Sequence, residues 1–172
     1  MRNRERSIEL GDAYVKAAVN GTIDRLSELM SDPDFDPNIP DDFGSPLVQS
    51  IMMLIVPEEK PEYIKDLEES IKQLVKHPMY DPNCCNKYLE TPVMMVSKCP
   101  KLNNIGKFLL KETKPDLMAR NDIGYSVAEL AIMYDNSEFF EILLNTNECG
   151  NIVRGLPKMV STEAIKAAET VD

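Results

Sequence analysis

Residues 35–47 read FDPNIPDDFGSPL and residues 80–93 read YDPNCCNKYLETPV. Both run Asp-Pro-Asn, a short polar passage, then a hydroxyl residue and proline: Asp36-Pro37-Asn38 leads to Ser45-Pro46, and Asp81-Pro82-Asn83 leads to Thr91-Pro92. A diverged third copy places Asp116-Leu117-Met118 ahead of Ser126-Val127. The spacing is 46 residues from Ser45 to Thr91 and 35 from Thr91 to Ser126. Self-similarity at such a period marks an architecture of stacked units.

Each unit carries two apolar runs. Ser or Thr before Pro is a natural helix start, because the hydroxyl caps free N–H groups and Pro in the first turn has none to leave unsatisfied. The first runs are Leu47, Val48, Ile51, Met52, Ile55 and Val93, Met94, Val96. The second runs are Ile64, Leu67, Ile71, Leu74, Val75, then Leu102, Ile105, Phe108, Leu109, then Phe139, Ile142, Leu143. Steps of three and four put each run on one helical face.

An earlier unit spans Tyr14 to Met30, with Gly21 ending its first helix in a left-handed cap. Ser161-Thr162-Glu163 opens a last, capping helix with Ile165, Ala168 and Val171 on one side. No unit buries enough apolar surface alone, so neighbours must stack. The expectation is one all-α domain over residues 1–172: a helical solenoid of about four helix-turn-helix units (8–40, 41–85, 86–120, 121–148) with short turn fingers and a cap at 149–172. A tetratricopeptide-like solenoid shares the helix pairs but leaves the Ser/Thr-Pro starts and Asp-Pro-Asn connectors unexplained.

Composition narrows function by exclusion. With 43% hydrophobic and 28% charged residues the chain is built like an ordinary soluble domain. Its formal charge of -10 repels phosphate backbones and anionic lipid, so neither nucleic acid nor membrane is an expected partner. Arg2, Arg4 and Arg6 are the one basic cluster and read as a frayed, solvated terminus. No apolar run approaches the ~20 residues that span a bilayer, and no secretory signal opens the chain, so a cytoplasmic location is expected.

Cys84, Cys85, Cys99 and Cys149 form no C-x-x-C pair, and adjacent cysteines rarely bond to each other, so reduced thiols are expected. They lack zinc-site spacing, and Asp32, Asp34 and Asp36 lack the Gly and Glu of a calcium loop. The one imidazole, His77, ends a second helix as a C-terminal cap, without the third group a Cys/His catalyst needs. No enzyme activity, metal or cofactor is therefore expected. Of the pairs Met52-Met53 and Met94-Met95, one member each is expected to fill the core.

The pattern resembles the ankyrin repeat, carried by Gly44-Ser45-Pro46-Leu47, Thr91-Pro92-Val93, Gly124-Tyr125-Ser126-Val127-Ala128-Glu129-Leu130-Ala131, Asn20-Gly21-Thr22-Ile23-Asp24 and the two Asp-Pro-Asn triplets. The resemblance implies protein recognition without catalysis: an adaptor or scaffold, monomeric or weakly self-associating, whose turn tips and first helices line a concave groove. Carried onto this sequence, the groove positions are Asp41, Asp42, Phe43, then Lys87, Tyr88, Glu90, then Asp122, Ile123, Tyr125, with Met52, Met53, Lys98, Met133 and Tyr134 on the first helices. Tyr88, Tyr125 and Tyr134 are the expected anchors, since aromatic residues dominate interfaces.

Three departures from the pattern stand out. About eleven extra residues fall near 57–62, where a charged, Pro-flanked solvent loop is expected. Cys99-Pro100-Lys101 replaces the usual Gly, and the usual His after Thr-Pro-Leu is missing from every unit. The acidic stretch 58–69 suggests an alternative: a regulatory inhibitor or bacterial effector that contacts an enzyme through that insertion. In this register Cys84 aligns with Ile39 and should be more buried than Cys85.

Overall fold

A computed structural model of the protein describes residues 3–156, and in it the chain is a stack of helix pairs. They are α1 (Arg4–Val19) with α2 (Ile23–Met30), α3 (Leu47–Ile55) with α4 (Pro61–Val75), α5 (Pro92–Ser97) with α6 (Asn103–Glu112), and α7 (Val127–Met133) with α8 (Ser137–Leu144). Helices α1, α3, α5 and α7 touch in sequence to form one row, and α2, α4, α6 and α8 form a second. A short α9 (Cys149–Gly155) packs on α8. Among the described residues all helices and no strands form, as the sequence predicts for an all-α solenoid.

The core lies between the rows, with Ile51, Met52 and Ile55 of α3 against Leu67, Ile71 and Leu74 of α4, all fully buried. Tyr14 is also fully buried, and its hydroxyl donates to the Ser70 carbonyl at 2.7 Å, tying α1 to α4. Further along, the side-chain amides of Asn103 and Asn136 donate to one another at 3.1 and 2.9 Å. Paired in this way, two buried amides avoid the cost of unmet hydrogen bonds.

Three turns between units share one hydrogen-bond pattern. The backbone N–H of Asp41, Asn86 and Asn121 donates to the carbonyl of Ser45, Glu90 and Tyr125 at 2.8, 3.1 and 3.0 Å. Their side-chain oxygens accept the N–H of those same residues at 2.9, 3.1 and 2.8 Å. The fourth residue of each turn is left-handed: Gly44 at φ 79°, Leu89 at 56° and Gly124 at 90°.

This pattern corrects the repeat register by one residue. The helices begin after Pro46, Thr91 and Ser126, so Pro46, not Ser45, is the equivalent of Thr91. Likeness of Ser-Pro to Thr-Pro suggested the other match, but the turn counts from its Asp or Asn. Hydroxyl capping is also narrower than expected. Ser126 forms a reciprocal box with Glu129, whereas the buried Thr91 hydroxyl finds no partner. In the corrected register Gln49 stands where the repeat usually has His, and its Nε2 donates to the Glu90 carbonyl of the next turn at 2.7 Å.

The Asp-Pro-Asn triplets have two functions. Each Asp closes its own bend: Asp36 accepts from Asn38 N–H at 2.9 Å and Asp81 from Asn83 N–H at 2.8 Å. Each Asn reaches the next copy, so that Asn38 accepts from Asp81 N–H at 2.8 Å and Asn83 from Asp116 N–H at 2.7 Å. The third copy carries Met118 in this place.

Elsewhere the structure revises the sequence reading. The extra residues of the second unit do not make a long loop. They lengthen α3 to 9 residues and α4 to 15, against 6 in α5 and 10 in α6, leaving a short connection at 56–60. Pro61 opens α4 because its missing N–H is not needed there. The Arg cluster is not all frayed: Asn3 caps α1, and Arg6 pairs with Glu9 at 3.3 Å and Asp32 at 3.1 Å. Asp32 and Asp34 thus pin the first helix, Asp34 accepting from Asn3 N–H at 3.1 Å. The expected capping helix at 161 lies outside the described residues. Ile152 of α9 and the following Leu156 are buried at that end of the stack.

Candidate functional site

With the register corrected, the first-row helices and turns present rows of equivalent residues. At the turn tips these are Asp42, Lys87 and Asp122, then Phe43, Tyr88 and Ile123. Near the helix ends they are Met53, Lys98 and Met133. Phe43 is 77% exposed, Ile123 69%, Met53 and Met133 56% each, and Tyr88 and Tyr134 52% each. Large apolar side chains this open, repeated in register, are uncommon on a surface that stays in water, and patches of this kind are where interactions occur in proteins generally.

A recess of about 410 Å³ lies on this surface between α3 and α5. Met53, Val56, Tyr88, Met95, Cys99 and Leu102 supply its apolar lining, and Ser45, Asn86, Glu90 and Lys98 its polar one. The recess follows from helix length. After α5 the chain passes through Lys98 and an extended Cys99 into a single 3-10 turn, Pro100–Leu102, whereas α3 runs three residues further in the same register. The Lys101 ammonium donates to the Val56 and Glu58 carbonyls at 3.1 and 3.0 Å, holding the 56–60 connection against the next unit. Two backbone N–H groups, of Lys60 and Glu59, hold the Glu58 carboxyl below its ordinary pKa.

Inside the recess the Lys98 ammonium donates to both Glu90 oxygens at 2.7 and 2.8 Å. It also lies 6.0 Å from the centre of the Tyr134 ring, as Lys87 lies 5.2 Å from that of Tyr88. Both lysines are therefore engaged within the chain, at distances where cation–π attraction acts.

The structure brings Met53, Tyr88, Glu90 and Lys98 together, with Asp42, Phe43, Lys87, Asp122, Met133 and Tyr134 exposed around them. Other positions, and Glu90 itself, do not project as expected. Met52 is fully buried, because the neighbouring helical position, Met53, takes the open face. Glu90 is 9% exposed, held under the turn by Lys98 and so part of the recess wall, not a projecting tip. Asp41 is half-buried; its carboxylate closes the turn through Phe43 and Ser45 N–H and accepts the Ser50 hydroxyl at 2.8 Å. Tyr125 is half-buried against the core, unlike Tyr88 and Tyr134.

Met94 and Met95 are both buried where one core member was expected. Sequence reading did not place Val56, Met95, Leu102 or the exposed Leu89 in the groove set. The one signal for the first three was the Cys99-Pro100 break, which shortens α5.

The thiols take the expected order, Cys84 half-buried and Cys85 exposed. Burial, then the nearby Asp81 carboxylate, pushes the Cys84 thiol up to about 12, far from a neutral-pH nucleophile. His77 sits at the C-terminal end of α4, its Nδ1 accepting from Met79 N–H at 3.3 Å and its ring edge against Phe35. Among the described residues no three His, Cys, Asp or Glu side chains gather as metal ligands would, and no helix is long and apolar enough to cross a membrane.

Paired helices in two rows, joined by turn fingers and cross-linked connectors, define the ankyrin-repeat solenoid, and this chain has that fold. It is similar to the ankyrin repeat domain of Bcl-3, described as a unique member of the IkappaB protein family, with a TM-score of 0.59 and 18% identity over 76% of this chain and 54% of that one. The chain thus spans about half the length of the domain it matches. No protein-family model and no curated protein sequence matches it.

Proposed function

We propose that the protein is a non-enzymatic interaction module, an adaptor or scaffold, that binds a protein partner across its turn tips and first-row helices. The observation that carries this reading is the concentration of exposed Phe43, Met53, Tyr88, Leu89, Ile123, Met133 and Tyr134 on this one surface. Fold alone would not suffice, because a fold hosts many functions; exposed side chains in register over three units add the site. A reducing, cytoplasmic setting suits the free thiols at Cys84, Cys85 and Cys99.

The test is affinity purification from the native source with mass spectrometry, using wild type and the triple variant Phe43→Ala, Tyr88→Ala, Ile123→Ala. Wild type is expected to retain a protein that the variant loses, with the helical circular dichroism of both unchanged. A second variant, Glu62→Gln with Glu69→Gln on the outer α4, should retain it. Loss there and retention on the triple variant would transfer the contact to the acidic insertion and overturn the groove reading.

A further inference from the structure

We infer that the recess between α3 and α5 seats one bulky apolar side chain from a partner segment whose flanking residues are Lys or Arg. This inference rests on the groove reading above and specifies the chemistry of its occupant.

The lining requires the apolar part. Met53, Val56, Tyr88, Met95 and Leu102 face a space of about 410 Å³, at the low end of the ~300–1,000 Å³ typical of small-ligand sites. A side chain fits there, and a folded element does not. The Glu90–Lys98 pair satisfies itself inside, so no unpaired charge in the wall asks for a counter-ion.

Charge sets the flanks. Asp42 and Asp122 are exposed at the turn tips and, like the exposed Asp135 just after α7, enter none of the ion pairs among the described residues. Of the two lysines on the same surface, Lys98 is neutralised by Glu90, while Lys87, over Tyr88, is in no ion pair and is outnumbered by the free carboxylates. Together with the formal charge of -10, the surface offers its free carboxylates to a basic segment and steers it in.

Backbone strain adds an independent mark. Leu89 holds φ 56° where the sister turns have glycine, and its side chain is 52% exposed beside Tyr88. An unfavourable conformation that carries an exposed apolar group is what a contact residue at the groove would look like.

The experiment is selection of a random phage-displayed peptide library on the full chain. Enriched peptides are expected to share Phe, Leu or Met next to Lys or Arg. A synthetic copy followed by fluorescence anisotropy should bind more weakly as salt rises. Met53→Arg, at an exposed position that leaves the fold intact by circular dichroism, should cost at least about tenfold in affinity. Asp42→Asn with Asp122→Asn should cost roughly threefold and flatten the salt dependence. Enriched peptides that are acidic, or whose binding ignores salt, overturn the basic-segment assignment even where Met53→Arg blocks them. Peptides indifferent to Met53→Arg overturn the recess itself and count against the groove reading as well.

Discussion

At Leu89 a branched residue holds a conformation that suits glycine, as its equivalents Gly44 and Gly124 show. The left-handed region costs an L-residue roughly 1–2 kcal/mol through the clash of Cβ with the carbonyl, while glycine loses more backbone entropy on folding, roughly 0.5–1 kcal/mol. The steric term is the larger, so Leu89→Gly is expected to stabilise the protein by about 1 kcal/mol, read as a higher urea midpoint with an unchanged slope. An unchanged or lower midpoint would show that Leu89 packs more tightly than its exposure suggests.

The adjacent cysteines separate at the same scale. Cys84, raised to about 12 by burial and by Asp81, stays a thiol at mildly alkaline pH, while Cys85 is exposed. Mass spectrometry after brief iodoacetamide treatment should find Cys85 modified well before Cys84; equal rates would refute the burial argument. The raised pKa also has a sign for stability. Folding disfavours the Cys84 thiolate, so stability is unaffected below the unfolded value near 9.0 and falls as pH climbs from there toward 12.

At the scale of elements, α6 packs closely on α5 and α8 at Gly106. A Cβ on Gly106 would lie 2.6 Å from Val96 Cγ1 and against the Phe139 ring. Replacing a helix-interior glycine by alanine ordinarily gains up to ~1 kcal/mol of propensity. Overpacking a rigid contact costs ~1–3 kcal/mol, and it should win here, so Gly106→Ala is expected to lower the melting temperature. Gly150→Ala in α9, where the new Cβ meets only the Arg154 guanidinium at 3.9 Å, is expected to raise it. Matching shifts in the two variants would mean that α6 can move away from α5 and α8. Element length, too, has consequences: six residues in α5 beside nine in α3 open the recess, and the insertion acts by lengthening helices, not by hanging a loop in solvent.

Across the whole molecule, the repeat was readable because its chemistry is local. Asp or Asn closing a turn, Asn reaching the next connector and apolar steps of three and four all leave marks at set spacings, so the all-α stack could be inferred before any coordinates. The register slipped by one residue at Ser45-Pro46 because letters were matched there, whereas the backbone counts hydrogen bonds from Asp41. Periodicity likewise could not choose between Met52 and Met53, since adjacent helical positions differ by only about 100° and the neighbouring unit decides which one is covered. The recess beside Tyr88 depends on how far α3 outruns α5, and the pairing of Glu90 with Lys98 and the packing of Tyr125 against the core on how each turn folds over the helix that follows it. Local hydrogen bonding and hydrophobic spacing, written along the chain, were enough to specify a two-row solenoid; the shape and charge of its exposed apolar surface arose only when units of unequal length were packed side by side.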